Sequence, residues 1–336
     1  YPLIDGVVNG CPSHLLEPTK QNVLQRSEEF DNAYWVNNGV TINANQTISP
    51  SGELNADLLT GVSGGFGVIR FSTWTSTNKV ASCFAKKGSS NLFKINNASG
   101  GIGGVTFDVE NGTVTNEDSG FEGEIENYGN GWFRCTAIDT SARSGTFNLG
   151  VTAASESVYI WGSQLESNYK TSYIPTTTSV VSRSAETANG AGDATTFNDS
   201  EGVLMAEISA LTDDEAIPKT ISIINSISTS NLIRLYYYEN KIVFNIKVGG
   251  ATVVDYVHIL SSPTDIIKVA FKYKQNDFAF WVNGIEVGSD SLGNVPTGLN
   301  VLSFDYGGGS DFYGKTKQIQ YFDSALTDAE LAALTQ

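Results

Sequence analysis

The sequence predicts an all-β protein of two antiparallel β-sandwich (jelly-roll) domains in tandem, with one short C-terminal helix. The first reason is composition, because β-branched and aromatic residues fit a pleated surface and the abundant Gly and Asn fit turns. The second is size, because 336 residues with 40% hydrophobic content exceed what one sandwich usually holds. The third is spacing, because short apolar runs recur between turn residues along the chain.

The N-terminal part of the sequence predicts an extended arm and then the first domain. Pro and Gly punctuate residues 1–20, which favours an arm over a sheet core. The first domain is expected over residues 21–195, with strand-like runs at 67–75, 80–86, 91–95, 105–110, 131–139, 146–152 and 157–165. Within it, Asn111-Gly112 predicts a two-residue hairpin loop.

The second domain is expected over residues 196–336, with the boundary near residue 195 inside a polar stretch at 174–198. Its strand-like runs are 202–210, 221–225, 231–239, 241–248, 251–259, 266–274, 277–282, 285–288, 301–305 and 316–322. Asn283-Gly284 predicts another two-residue hairpin loop. Thr327, followed three residues later by Glu330, predicts a capped helix at the end of the chain.

The acidic balance of the chain limits its partners. The formal net charge is -16, and no basic stripe offsets it. Nucleic acid and anionic membrane surfaces would be repelled, so neither is an expected partner. No apolar run is long enough to cross a bilayer, which argues against membrane insertion. The chain begins with Tyr1 rather than Met, and we expect it to be a piece of a longer protein.

The cysteines and histidines are too few and too scattered to predict a zinc or His-based catalytic site. Cys11, Cys83 and Cys135 form no CxxC pair, and His14 and His258 are far apart in the sequence. Three buried reduced thiols are the simplest interpretation of the cysteines. One disulfide with one thiol left over is the alternative.

A set of short motifs runs in order through residues 16–185. Its members are Leu16-Glu17-Pro18, Asn22-Val23-Leu24, Ser27-Glu28-Glu29-Phe30-Asp31, Tyr34-Trp35, Ser49-Pro50-Ser51-Gly52, Ala56-Asp57, Tyr128-Gly129-Asn130-Gly131-Trp132-Phe133-Arg134, Tyr159-Ile160-Trp161-Gly162-Ser163-Gln164-Leu165-Glu166 and Thr171-Ser172-Tyr173-Ile174-Pro175. In combination the set resembles the phage virion relatives of the carbohydrate-binding-module jelly rolls.

A second, weaker set lies mainly near the end of the chain. It consists of Trp281-Val282-Asn283-Gly284, Tyr313-Gly314-Lys315 and Ala325-Leu326-Thr327-Asp328-Ala329-Glu330-Leu331. This set resembles the concanavalin A-like, laminin-G-like sandwich, in which the last strand leads into a short helix.

Together the two resemblances imply a tail-fibre, head-fibre or other appendage component of a phage virion. They imply a location on the virion surface or outside the cell, and a non-catalytic role in recognising a host cell-surface polysaccharide. Bacterial secreted glycan-binding proteins use the same pair of modules. The alternative is a purely structural fibre or decoration protein that binds other virion subunits, with a homotrimer as one form of it.

Aromatic side chains are the candidate glycan-binding residues, because Trp and Tyr rings stack on the CH faces of sugars. The candidates are Trp35, Trp74, Tyr236, Tyr237 and Tyr238. Because strand side chains alternate, either Tyr237 or the pair that flanks it must point outward. The alternative is a structural role in core packing, which the motif positions favour for Trp132 and Trp161.

The carboxylates supply a calcium hypothesis and a weak catalytic one. The jelly-roll resemblance implies a structural Ca²⁺ between the first and last strands, at positions matching Glu28, Glu29, Asp31, Gln164 and Glu166. Asp305 and Asp311 are a weaker candidate pair in the second domain. Ordinary surface acids are the alternative for both sets.

Two patterns are the main hints of an enzyme. Glu122, Glu124 and Glu126 share one face of a strand, as the acids of a sandwich glucanase do. They lie in the jelly-roll half, where the resemblance does not require them, so a solvated face is the favoured interpretation. Tyr256 and His258 share a strand face and are the candidate pair for a polysaccharide lyase. We expect no enzymatic activity.

Overall fold

The sequence folds into an all-β architecture, as predicted. The structure is a computed structural model that describes residues 12–62, 80–97, 103–141, 144–212, 217–226 and 228–336, with the strand paths of Leu3–Ile4, Val7–Val8 and Gly67–Trp74. It divides into two compact units. The first comprises residues 1–10 and 19–184, and the second comprises residues 11–18 and 185–336.

The first unit is a sandwich of two six-stranded antiparallel sheets. Its strands are β1 (Leu3–Ile4), β2 (Val7–Val8), β4 (Lys20–Asn22), β5 (Val36–Asn38), β6 (Val40–Ile48), β7 (Leu54–Gly61), β8 (Gly67–Trp74), β9 (Val80–Lys87), β10 (Leu92–Asn97), β11 (Gly103–Asp108), β12 (Thr113–Glu117), β13 (Phe121–Gly129), β14 (Trp132–Asp139), β15 (Gly145–Val151), β16 (Ser157–Glu166) and β17 (Val181–Arg183). One sheet has the order β12-β11-β10-β15-β8-β5 and the other β13-β14-β9-β16-β7-β6, while β1-β2 and β17-β4 form two separate two-stranded sheets.

The core of the first unit lies between these sheets because their strands alternate apolar and polar faces. Phe93, Phe107 and Phe147 from one sheet meet residues such as Leu165 from the other. A smaller cluster on the opposite face of the second sheet holds Phe84, Trp132 and Trp161. Both tryptophans are buried, which confirms that they are structural.

The second unit is also a sandwich of two six-stranded antiparallel sheets. Its strands are β3 (His14–Leu16), β18 (Asn189–Ala191), β19 (Glu201–Ala210), β20 (Lys219–Asn225), β21 (Ser228–Tyr238), β22 (Lys241–Val248), β23 (Ala251–Ile259), β24 (Ile267–Lys274), β25 (Phe278–Val282), β26 (Ile285–Asp290), β27 (Val301–Ser303) and β28 (Gly314–Phe322). The orders are β18-β27-β20-β21-β22-β23 and β26-β25-β24-β19-β28-β3.

The end of the chain follows its sequence signals. The helix α1 (Asp328–Thr335) begins after Thr327, whose side chain accepts a hydrogen bond from the Glu330 amide in the predicted capping box. Leu331 packs this helix on Met205 and Trp281, on the outer side of the second sheet. The described residues include no helix that is both long and apolar enough to cross a membrane.

The domain limits differ from the predicted ones. The units divide between Ser184 and Ala185, earlier than the expected limit at residues 195 and 196. The residues expected to form an arm also contribute strands. His14–Leu16 pairs with Gly314–Phe322 in the second unit, and Lys20–Asn22 pairs with Val181–Arg183 in the first. The Pro and Gly content predicted a segment without paired strands. Strand pairing instead satisfies its backbone hydrogen-bonding groups.

The two Asn-Gly hairpins differ. Asn283 and Gly284 both have positive φ, 48° and 81°, as a two-residue loop of type I′ requires. The prediction for Asn111-Gly112 is wrong, because four residues, 109–112, separate β11 from β12 and only Gly112 has positive φ there. Asp108 shapes this longer turn by accepting hydrogen bonds from the amides of Glu110 and Asn111 at 2.9 and 3.0 Å.

Asp108 makes the stability of this turn depend on pH. Burial acts to raise its pKa, but the hydrogen bonds from Asn111 and the Glu110 amide outweigh burial and lower the pKa to about 2. A carboxylate whose folded-state pKa is lowered stabilises the fold above its unfolded pKa, and that contribution is lost as the pH falls. We expect wild type to exceed Asp108→Asn in unfolding free energy at pH 6, and the difference to shrink by about 1–2 kcal/mol towards pH 2.

Urea unfolding of both proteins between pH 2 and pH 7 measures this difference. A difference that is constant across the range would contradict the role assigned to the Asp108 carboxylate.

Candidate functional site

The three consecutive tyrosines of β21 divide between the two faces of their sheet. Tyr237 points into the core of the second unit, where its side chain is 1% exposed and its hydroxyl donates to the Ile208 carbonyl at 3.2 Å. Tyr236 and Tyr238 point to the outer face and are half-buried. Of the two arrangements that strand alternation allows, the structure has Tyr237 inward and the flanking pair outward. Tyr237 therefore offers no ring face to a ligand.

Trp35, the tryptophan candidate whose side chain the structure describes, does not provide an exposed ring. Trp35 is 3% exposed, and its indole Nε1 donates to the Arg26 carbonyl at 3.0 Å. Its ring packs against Phe30 and Phe147, with centroids 5.2 and 6.1 Å away. Trp35 is thus a core residue of the first unit rather than a stacking platform. The side chain of Trp74 lies outside the described residues.

A group of four side chains surrounds Tyr236 on the outer face, and we call it the Arg234 cluster. Its members are Arg234 and Tyr236 of β21, Lys247 of β22, and Tyr306 of the loop after β27. The guanidinium carbon of Arg234 lies 4.5 Å from the Tyr236 ring centroid and 4.6 Å from that of Tyr306. Lys247 Nζ donates to the Tyr306 hydroxyl at 3.1 Å. The guanidinium is therefore held between two aromatic rings beside a second cation.

Strand register brings these residues together. Arg234 and Tyr236 are two residues apart on one strand and share its outer face. Asn245 lies directly opposite Arg234, and its Oδ1 accepts from Arg234 Nε at 3.1 Å. The amide of Asn245 is itself fixed, because its Nδ2 donates to the Val254 carbonyl and to Asp255, each at 3.1 Å. One edge of the guanidinium is therefore oriented by a buried amide.

A glycine-rich turn places Tyr306 over the sheet. The Asp305 carboxylate accepts from the amides of Gly307 and Gly308 at 3.1 and 3.2 Å, and from Asn189 Nδ2 at 2.8 Å. Gly307 and Gly308 have φ of 60° and 94°, a backbone region that favours glycine. Hydrogen bonds therefore fix this turn. Their acceptor is Asp305, which the sequence indicated as a weaker calcium candidate.

The electrostatics of the Arg234 cluster favour an anion. In the part of the chain that the structure describes, neither Arg234 nor Lys247 has a carboxylate within salt-bridge distance. By contrast, Lys241 on the same strand pairs with Glu239 at 2.6 Å. Burial acts to raise the pKa of Tyr306, but the hydrogen bond from Lys247 and the charges of Lys247 and Arg234 lower it overall. Two positive charges therefore lie together here, and the nearby Asp255 carboxylate bonds the Asn245 amide rather than either cation, although the chain carries a net charge of -16.

The geometry suits a ligand that carries a carboxylate on a ring with an apolar face. The two Nη groups of Arg234 are free of hydrogen bonds to described residues, and a guanidinium fork matches a carboxylate in a bidentate pair. The sequence pointed to Tyr236 but not to Arg234, Lys247 or Tyr306. Strand alternation could have found Arg234. No pattern in the sequence indicated Tyr306, because its position depends on the fold of the loop.

The five residues proposed for calcium do not form one ligand set. Glu28 accepts from Tyr173 and Asn55, Glu29 pairs with Arg26 at 2.7 Å, and Asp31 is exposed. Gln164 Oε1 accepts from the Ile174 amide at 2.6 Å, and the Glu166 carboxylate binds the amide and hydroxyl of Thr171. Among the described residues, no group of three or more acidic, His or Cys side chains could hold a metal ion.

Three members of the two patterns that hinted at an enzyme have structural partners. Glu124 and Glu126 both bind Lys170, at 2.7 and 3.0 Å, so they fix the segment after β16 on the sheet. Tyr256 of β23 packs against Phe244, with ring centroids 6.2 Å apart. Burial raises the pKa of Tyr256 to about 12, the opposite of what a catalytic base needs.

The cysteines follow the simplest interpretation where the structure describes them. Cys83 and Cys135 lie opposite each other on neighbouring strands, and both are buried and free. Burial raises the pKa of each thiol above its ordinary value, so neither is a reactive thiolate. Cys11 lies outside the described residues.

No family model matches the chain. No curated protein matches it either. Solved structures similar to parts of it include the CBM40 module of Ruminococcus gnavus IT-sialidase bound to α2,3-sialyllactose, with 16% identity, a TM-score of 0.38, and coverage of 44% of this chain and 94% of that one. Another is the heptameric SAP-like pentraxin of Limulus polyphemus, with 11% identity, a TM-score of 0.35, and coverage of 44% and 74%. A third is a leech intramolecular trans-sialidase, with 17% identity, a TM-score of 0.36, and coverage of 44% and 26%. At these TM-scores the likenesses support no conclusion about this chain.

Proposed function

We propose that the chain is a non-catalytic binding protein for a cell-surface polysaccharide that contains carboxylated sugars. The observation that carries this proposal is the Arg234 guanidinium held between two tyrosine rings beside Lys247, with no carboxylate partner among described residues. Aromatic faces pack on the CH face of a sugar ring, and a guanidinium fork pairs with a carboxylate. The outer face of the β21–β22 pair therefore provides the groups that bind an acidic sugar.

The jelly-roll and laminin-G-like resemblance in the sequence supports placing this protein on a phage virion appendage, outside the cell. A binding rather than catalytic role is supported by the partners of the two candidate catalytic patterns, Glu124 with Glu126 and Tyr256. Host recognition through the Arg234 cluster follows from both arguments.

Replacing Lys247 with Met tests the proposal against a matched control on the same strand. Lys247→Met removes the ammonium but keeps the aliphatic stem, and we expect it to weaken binding of uronate oligosaccharides roughly tenfold. Lys241→Met removes a lysine that pairs with Glu239, and we expect no change. Isothermal titration of the full chain measures both. Equal affinities for wild type and Lys247→Met would refute the assignment of the site.

An exposed apolar edge favours a structural function as the second candidate. β23 is the edge strand of its sheet, and Val257 and Ile259 on its outer side are 53% and 66% exposed. Apolar side chains on an edge strand are typical of contacts with another subunit. A trimeric mass in solution, together with no affinity for any polysaccharide, would support this alternative and overturn the first.

A further inference from the structure

The first unit contains an open cleft of about 480 Å³ that the proposed function does not use. Three chain segments line it: the end of β9, the β11–β12 turn and the β13–β14 turn. Small-molecule sites in proteins typically have volumes of roughly 300–1,000 Å³. The cleft is therefore large enough for a ligand of that class.

One side of the cleft is held by an ion pair. Lys87 Nζ at the end of β9 lies 2.5 Å from Glu110 Oε1 in the β11–β12 turn. Asp108 fixes the same turn through the amides of Glu110 and Asn111. Both partners of the ion pair are at the surface, so the pair supplies polar groups to the cleft wall and leaves little net charge.

The β13–β14 hairpin loop lines another part of the cleft and presents side-chain amides. Gly129, Asn130 and Gly131 have φ of 79°, 52° and 79°, so three consecutive residues adopt the left-handed region. Asn127 Oδ1 accepts from the Gly129 amide at 2.7 Å, which orients its side chain. The side chain of Asn130 is exposed and makes no hydrogen bond to any described residue. Asn130 and Gly131 have the backbone of a two-residue type I′ loop, which Asn-Gly adopts readily, so the turn itself sets the position of the Asn130 side chain.

The cleft lining also contains the largely buried Phe133 and the lysine Lys86. Phe133 is 8% exposed, and a Cβ at Gly112 would lie 2.6 Å from its Cε1, so glycine is required at that contact. The carbon stem of Lys86 packs over Gly131, where a Cβ would lie 3.4 Å from Lys86 Cε. Within the described ranges, Lys86 has no carboxylate partner, which leaves its ammonium free to donate.

We propose that this cleft is a second saccharide site and that it takes an uncharged sugar unit. A sugar hydroxyl both donates and accepts hydrogen bonds, and the cleft offers both kinds of partner in Asn127, Asn130, Lys86 and Glu110. The exposed part of Phe133 supplies apolar surface for the ring carbons. This inference rests on the proposed function, because it assigns a neutral sugar of the same class of polysaccharide to a separate site.

Titration with the neutral disaccharides maltose, lactose and cellobiose tests the cleft in the full chain. We expect at least one of them to shift the backbone amide resonances of residues 127–131 in a saturable manner at millimolar concentration. Asn130→Gly keeps the left-handed turn but removes the amide, and Lys86→Met keeps the stem but removes the ammonium. Each is expected to weaken binding about tenfold.

Asn45→Gly is the matched control. Asn45 also has positive φ, 56°, lies in the same unit and makes no side-chain hydrogen bond within the described part of the chain. We expect its affinity to equal that of wild type. If no disaccharide shifts the amides of residues 127–131, or if Asn130→Gly binds as Asn45→Gly does, the inference is overturned. Binding of uronates that depends on Lys247 would persist in that case, so failure of the cleft is distinguishable from failure of the proposed function.

Discussion

Replacing Arg234 with Ala is expected to weaken binding of a uronate oligosaccharide by roughly 10- to 100-fold, because hydrogen bonds to charged groups are the strongest of their kind. Arg234 is the only member of the cluster that offers a planar fork to a carboxylate, and its position between Tyr236 and Tyr306 holds that fork ready. Isothermal titration of the full chain measures the loss.

Two further variants separate the fork from the charge. Arg234→Lys keeps the positive charge but loses the bidentate geometry, so we expect an affinity between those of wild type and Arg234→Ala. Arg26→Ala removes an arginine that pairs with Glu29 in the first unit, and we expect it to bind as wild type does. Unchanged affinity in Arg234→Ala, in a variant that remains folded, would contradict the account.

Replacing Trp35 with Ala is expected to lower the free energy of unfolding of the first unit by roughly 3–5 kcal/mol, the usual cost of removing a large aromatic side chain from a core. The indole fills space between Phe30 and Phe147, and its Nε1 donates to the Arg26 carbonyl. Thermal and urea denaturation measure this effect.

Trp35→Phe is the control for Trp35→Ala, because it keeps most of the apolar volume and loses chiefly the hydrogen bond. We expect it to be clearly more stable than Trp35→Ala, and we expect both variants to bind glycan with wild-type affinity when folded. Near-wild-type stability of Trp35→Ala together with loss of glycan binding would instead identify Trp35 as a ligand platform.

Local signals in the sequence predicted much of the fold. The capping box at Thr327 and the loop at Asn283-Gly284 formed as predicted, since each depends on residues close in the chain. The turn after β11 did not, because the Asp108 carboxylate holds a longer loop than the Asn-Gly pair alone specifies. Pairing of His14–Leu16 with β28 joins distant parts of the chain, so no local sequence pattern predicted it.

The candidate site was only partly predictable for the same reason. Alternation placed Tyr236 and Tyr238 on one face and Tyr237 on the other, but it did not say which face is buried. The fold of the second unit decides that, because Tyr237 packs in the core beside Phe312. Lys247 and Tyr306 join the cluster through strand register and a glycine turn, so their role became visible only in three dimensions.

The measurement that tests the central claim most directly uses uronate oligosaccharides in matched pairs. Each oligosaccharide is compared with its carboxyl-reduced form, in which every carboxylate becomes a primary alcohol and the sugar ring is otherwise unchanged. The account predicts that the full chain binds at least one acidic form, that reduction abolishes this binding, and that added salt weakens it. Equal binding of both forms in every pair, or binding of none of the acidic forms, would contradict it.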